Sequence, residues 1–175
     1  MKRIFILNGA ATSGKDKFVE FVKEFIPSMH YSYVSNSKEA AMEYFGWDGG
    51  KTERDRKFLA DLNTLSSEYN DQPFKDVKSL VDDFLDNEQI SMFDDEYKFL
   101  FIDAREISAI DRMKQAFNAK TVFVIRNGVE AIRSNHADAQ TAKNYDYDYI
   151  VENNGSFDDL RNRAREFVEY VIRSS

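Results

Sequence analysis

Apolar and polar positions follow two rhythms along this chain, and the changes of rhythm mark its elements. Ile4 to Leu7 is an unbroken apolar run, the mark of a strand buried on both faces. From Lys15 to Phe25 the period becomes helical: Phe18, Val19, Val22, Phe25 and Ile26 recur on one side, with Lys17, Glu20, Lys23 and Glu24 on the other, and Pro27 ends the helix. His30 to Asn36 alternates again and predicts a second strand. Ser37 is a good N-cap for a helix from Lys38 to Phe45, which Gly46 stops.

Between Trp47 and Glu96 the strand rhythm is absent. Phe58, Leu59, Leu62, Leu65 and Tyr69 predict a helix over Thr52 to Asn70, and Val77, Leu80, Val81 and Phe84 predict another over Phe74 to Leu85. The turn Asn70-Asp71-Gln72-Pro73 joins them, so residues 47–96 read as a helical insert. Tyr97 to Asp103 is an apolar strand that ends in an acid, Ile107 to Phe117 a helix, and Lys120 to Ile125 a further buried strand. Residues 127–147 are polar and irregular enough for a flap. Asp148 to Val151 is a short last strand, Asn153-Asn154-Gly155 a turn, and Phe157 to Ile172 a closing amphipathic helix. Five strands alternating with helices predict an α/β fold with a parallel sheet and right-handed crossovers.

At 175 residues and 42% hydrophobic, the chain fits one domain, residues 1–175, with one real core. The net charge of −7 argues against a nucleic-acid polymer as partner, since that needs clustered Lys and Arg to displace counterions. Without cysteine there is no disulfide, zinc-thiolate or thiol chemistry. No apolar run is long enough to span a membrane, and no signal peptide precedes the first strand, so a cytoplasmic protein is expected.

The chemistry centres on the turn after the first strand. Gly9, four residues, Gly14 and Lys15 have the spacing of a phosphate-binding P-loop, placed between a strand and a helix as that loop requires. Glycines let several N–H donors curl around one anion, the helix adds its positive end, and Lys15 adds a charge for the β and γ phosphates. Gly9, Ser13, Gly14, Lys15 and Asp16 are therefore the candidate ATP-binding residues. Asp16 stands where a Ser or Thr hydroxyl usually meets Mg²⁺, so it either serves the ion, directly or through water, or caps the helix, or is an ordinary helix-start acid favoured by the dipole.

In an open α/β sheet ligands sit outside the carboxyl ends of the strands, where Lys15, Asp103, Arg105 and Arg126 all fall. These four are the candidate catalytic residues. Asp103 could hold Mg²⁺ with Asp16, or cap the next helix. Arg105 could grip an acceptor phosphate with its planar fork, or form a surface ion pair. Arg54 and Lys57, three apart on the insert helix, could meet an acidic acceptor or face solvent among Glu53 and Asp55.

The GKD form of the loop, together with Asp103-x-Arg105, resembles deoxynucleoside monophosphate kinases and phosphomevalonate kinases. That resemblance implies a three-layer P-loop kinase fold with strand order 2-3-1-4-5, ATP and Mg²⁺ as cofactors, and an acceptor bound by the helical insert. It also implies flap arginines that close on the phosphates, a part open to Arg126 and Arg133. Residues Asn135 to Asn144 depart from the pattern, with Lys143 as their one Lys or Arg, and His136 reads as a solvated loop residue. Asn153 and Asn154 resemble the loop that lies against adenine, although Asn and Gly also dominate ordinary turns. The implied activity is an ATP-dependent phosphotransferase acting on a small phosphorylated acceptor, a nucleotide being favoured. A kinase of a non-nucleotide phosphorylated metabolite and a nucleotide-binding regulator with little catalysis are the alternatives.

Overall fold

The apolar runs become five short strands: β1 (Arg3–Asn8), β2 (Ser28–Ser32), β3 (Phe99–Asp103), β4 (Lys120–Ile125) and β5 (Tyr149–Glu152). They form a parallel sheet in the order β2-β3-β1-β4-β5, as the resemblance implies, in a computed structural model that describes residues 2–86, 98–128 and 145–174. Most of the expected flap, with Arg133 and His136, lies outside the described residues, as do residues 87–97 of the insert and its exit. Helices α1 (Lys15–Lys23), α2 (Ser35–Phe45), α3 (Glu53–Asn70), α4 (Gln72–Asp86), α5 (Ile107–Phe117) and α6 (Phe157–Arg173) complete the described fold. Among the described residues no helix is long and apolar enough to cross a membrane.

The chain divides into two compact units, one of Met1–His30 with Gln89–Ser175, the other Tyr31–Glu88. In the first unit, β1 is the central strand: Phe5 is in register with Phe101 of β3 and Lys120 of β4. Because both faces are covered, alternation sorts large residues onto two cores rather than into core and solvent. Phe5, Leu7, Phe99, Phe101, Val122 and Val124 meet Phe18, Val19 and Val22 of α1 and Leu160, Ala164, Phe167 and Val168 of α6. The alternate residues Ile6, Leu100, Ile102 and Phe123 are buried too, on the face where α5 packs with Ile110 and Met113.

Aromatic contacts concentrate on Phe5 and Phe167. The Phe5 ring centroid lies 5.1 Å from each of Phe99, Phe101 and Phe167, contacts worth about 0.5–1.5 kcal/mol apiece beyond their buried area. Where β4 starts, Asp148 accepts hydrogen bonds from the Thr121 N–H (2.9 Å), the Thr121 hydroxyl (2.8 Å) and Lys120 Nζ (2.9 Å). Burial pushes the Asp148 carboxyl up, but these donors and Lys114 outweigh it and hold the group well below the usual carboxylate range. Helix α6 opens with a capping box in which Ser156 and Asp159 satisfy each other's backbone N–H.

The second unit contains α2, α3 and α4. Thr52 and Asp55 make a capping box at the start of α3, and Asp71, left-handed at φ 62°, separates α3 from α4. The expected second strand is displaced: β2 occupies Ser28–Ser32, not His30 to Asn36, and α2 has begun by Ser35. The alternation in HYSYVSN does not show where a parallel neighbour stops, and here Tyr33 and Val34 turn the chain. Ser37, expected to cap α2, lies inside it, buried, and donates to Asn63 Oδ1 at 3.2 Å.

Candidate functional site

Parallel pairing places the carboxyl ends of the strands on one edge, and the loop from Gly9 to Gly14 runs there from β1 into α1. Asn8, the last residue of β1, secures its start: its Oδ1 accepts from the Gly9 N–H at 2.7 Å, and its Nδ2 donates to the Tyr147 hydroxyl at 2.9 Å. Burial raises the Tyr147 pKa to about 12, against the lowering effect of that bond, so the hydroxyl stays protonated. A Cβ on Gly9 would stand 2.7 Å from the Val124 carbonyl oxygen and from Ser13 Oγ, which requires glycine there. The loop then takes two left-handed steps, at Thr12 (φ 67°) and Gly14 (φ 93°). Such steps turn successive N–H groups toward one side, the geometry of an anion-binding nest.

The far side of the loop is held by the turn after β5. Asn153, only 8% exposed, donates from its backbone N–H to the Ile125 carbonyl at 2.8 Å and from Nδ2 to the Ser13 carbonyl at 2.8 Å. Asn154 Oδ1 accepts from the Asn127 N–H at 2.7 Å, tying the same turn to the loop after β4.

The charged residues converge on Asp103. Lys15 Nζ donates to Asp103 Oδ2 at 2.7 Å and to Asp16 Oδ1 at 2.6 Å, while His30 Nε2 lies 3.0 Å from Asp103 Oδ1. The Lys15 and Asp103 side chains are each 15% exposed; that of Asp16 is 72% exposed. Burial raises the Asp103 pKa, and the His30 hydrogen bond and the Lys15 charge more than reverse this, holding the carboxyl below its ordinary range. Neither acid caps a helix: Gly14 and Glu106 are the N-cap residues of α1 and α5, without side-chain caps. Asp16 nonetheless stands in the first turn of α1, where the helix dipole favours an acid.

Ligand atoms of Asp16, His30 and Asp103 lie within 4.8 Å of one another, so two carboxylates and an imidazole could hold one divalent cation. A Mg²⁺ ion fits the oxygen donors, and Lys15 already satisfies the same two carboxylates with positive charge.

Arg105 and Arg126 are exposed in the loops after β3 and β4, on the edge that carries Lys15. Arg54 and Lys57 belong to the second unit, exposed near the start of α3, and Lys57 is paired with Asp61 at 2.6 Å. Sequence reasoning missed three contributors: His30, read only as part of a strand, and Asn8 and Tyr147, whose meeting depends on pairing across 139 residues. A polar Asn closing an apolar run just before the loop was the one available signal.

No protein-family model matches the sequence, and no curated protein matches it. Solved structures do. The chain is similar to the dephospho-CoA kinase from Campylobacter jejuni, with 18% identity, 99% of each chain covered and a TM-score of 0.56. The shikimate kinase from Aquifex aeolicus shares 13% identity over 98% of this chain and 99% of that one, with a TM-score of 0.50. TT1252 from Thermus thermophilus shares 17% identity over 97% of both, also at 0.50. At such identities the likeness establishes the fold, a P-loop kinase fold with the 2-3-1-4-5 sheet.

Proposed function

We propose that this chain is an ATP-dependent phosphotransferase whose acceptor is a (deoxy)nucleotide or a similarly small phosphorylated molecule. The observation that carries this reading is the convergence of Lys15, Asp16, His30 and Asp103 beside a loop with two left-handed residues, at the carboxyl edge of a parallel sheet. Phosphoryl transfer is mostly positioning and charge stabilisation, and the residues needed for both stand together.

In this reading the loop N–H groups and Lys15 hold the β and γ phosphates, and Asp103 and Asp16, with His30 beside them, would hold Mg²⁺, which would supply charge neutralisation at the phosphates. Lys15 also pairs with Asp103, which keeps its ammonium beside the loop. Arg105 neutralises the acceptor phosphate with its bidentate fork, and Arg126 stabilises charge on the transferred group. The activity of kinases that share this fold is consistent with the proposal.

The test uses γ-labelled ATP with Mg²⁺ and a panel of ribo- and deoxynucleoside monophosphates beside phosphorylated alcohols. Transfer of label to one class names the acceptor. ATP binding without transfer to any acceptor would make the chain a nucleotide-binding regulator, and failure of ATP to raise the melting temperature would remove the proposal. A ligand at ~100 times its Kd should stabilise by about 2.7 kcal/mol.

A further inference from the structure

The Asn153 side chain is buried against the phosphate loop, and the peptide it touches is the one whose orientation matters most to an anion. Its Nδ2 donates to the Ser13 carbonyl at 2.8 Å. A carbonyl only accepts, so the NH₂ end of the amide must face it. In a trans peptide the C=O and the following N–H point in opposite directions. Holding the Ser13 carbonyl toward Asn153 therefore aims the Gly14 N–H the other way, and that N–H meets no acceptor among the described residues. Were this peptide to flip, a carbonyl oxygen would replace an N–H donor and repel phosphate.

Two further observations show that the contact is built. Asn153 is itself fixed to the sheet, since its backbone N–H donates to the Ile125 carbonyl at the end of β4. A Cβ on residue 14 would stand 2.3 Å from Asn153 Nδ2, so glycine at 14 serves the left-handed backbone and also makes room for the amide.

We infer that Asn153 is a positioning residue that sets the polarity of the phosphate cradle, holding the Ser13–Gly14 peptide with its N–H toward the nucleotide phosphates, and does not read the base. The inference rests on the proposed nucleotide site and deepens it. It gives the turn after β5 a task directed at phosphate, which any nucleoside triphosphate would share.

The experiment measures binding of inorganic tripolyphosphate and of ATP, each with Mg²⁺, by calorimetry. Asn153→Ala removes the donor; Asn153→Asp keeps the shape but sets a carboxylate against a carbonyl. Tripolyphosphate affinity should fall about tenfold in the first and about a hundredfold in the second, with ATP falling by the same factors. A base-reading Asn153 would instead weaken ATP and spare tripolyphosphate, which would overturn the inference. A residue that served only stability would lower the melting temperature with both affinities within about twofold of the parent, with the same consequence. Should neither variant fold, the parent protein decides by NMR: on adding tripolyphosphate, the Gly14 amide proton should move downfield more than any other loop amide, and an unmoved Gly14 signal would sink the idea. If the parent binds neither ligand, the proposed function itself falls and this inference with it; normal parent binding with unaffected variants removes the inference alone.

Discussion

Lys15 and Asp103, 88 residues apart in sequence, are joined at 2.7 Å at the carboxyl edge of the sheet, and each is largely shielded from water. The lysine proposed to hold phosphate is thus also the cation that compensates a shielded carboxylate. Removing either side of such a pair leaves a shielded charge with less compensation, although His30 still contacts Asp103.

Lys15→Ala should therefore keep the fold yet lose stability, on the order of 1–3 kcal/mol, while ATP affinity and turnover collapse. Urea unfolding of Lys15→Ala, Asp103→Asn and the double variant checks this. The double variant should be less destabilised than the sum of the singles, because both remove one interaction. Unchanged ATP binding in Lys15→Ala would refute the nucleotide site.

Asp103→Asn should raise the Mg²⁺ concentration needed for half-maximal activity by about tenfold or more, and weaken Mn²⁺ binding in parallel, as followed by its paramagnetic resonance signal. Asp16→Ser should be tolerated, since it restores the hydroxyl usual at that position. A dead Asp16→Ser with normal nucleotide binding would give the carboxylate a role of its own.

Arg105→Lys should fall on the acceptor. A bidentate fork matches two phosphate oxygens where an ammonium offers a point charge, so the acceptor KM should rise and kcat/KM should drop by about 10², or roughly 2.7 kcal/mol. ATP affinity should change by less than about threefold. Equal losses for ATP and acceptor would count against the assignment.

Asp148 provides a pH test away from the site. Its folded-state pKa lies below the unfolded value, so its contribution is complete above about pH 4 and fades as pH falls through the folded value. Asp148→Asn should lower stability at pH 7 by roughly 1–3 kcal/mol, with the gap to the parent protein narrowing below pH 4. Denaturant melts at pH 7 and pH 3 measure it; a gap that widens in acid would show that the ion pairs do not govern the site.

The sheet was legible because a strand buried on both faces leaves an apolar run that little else produces, as at Ile4 to Leu7 and Lys120 to Ile125. The loop was legible through spacing, since Gly9, Gly14 and Lys15 answer one local geometric demand. Boundaries set by partners were not: β2 stops where the chain turns at Tyr33, and Ser37 faces Asn63 inside a helix it could have capped. His30 was missed for a related reason, because a histidine in a strand acquires a role only when the neighbouring strand delivers a carboxylate to it. The resemblance supplied the strand order, which no local pattern carries.

The placement of β1 has a consequence for biosynthesis. Of the five strands β1 is the first to leave the ribosome, yet Phe5 pairs with Phe101 and Lys120, and the loop that follows it is held by Asn153, 140 residues beyond Ser13. At about 5–20 residues per second the nascent Ile4 to Leu7 run waits roughly 6–23 s for β4, its second neighbour. Until β3 emerges, an apolar strand with both edges open invites holding by a chaperone, and the phosphate loop, though it precedes the other four strands, is completed only when Asn153 arrives.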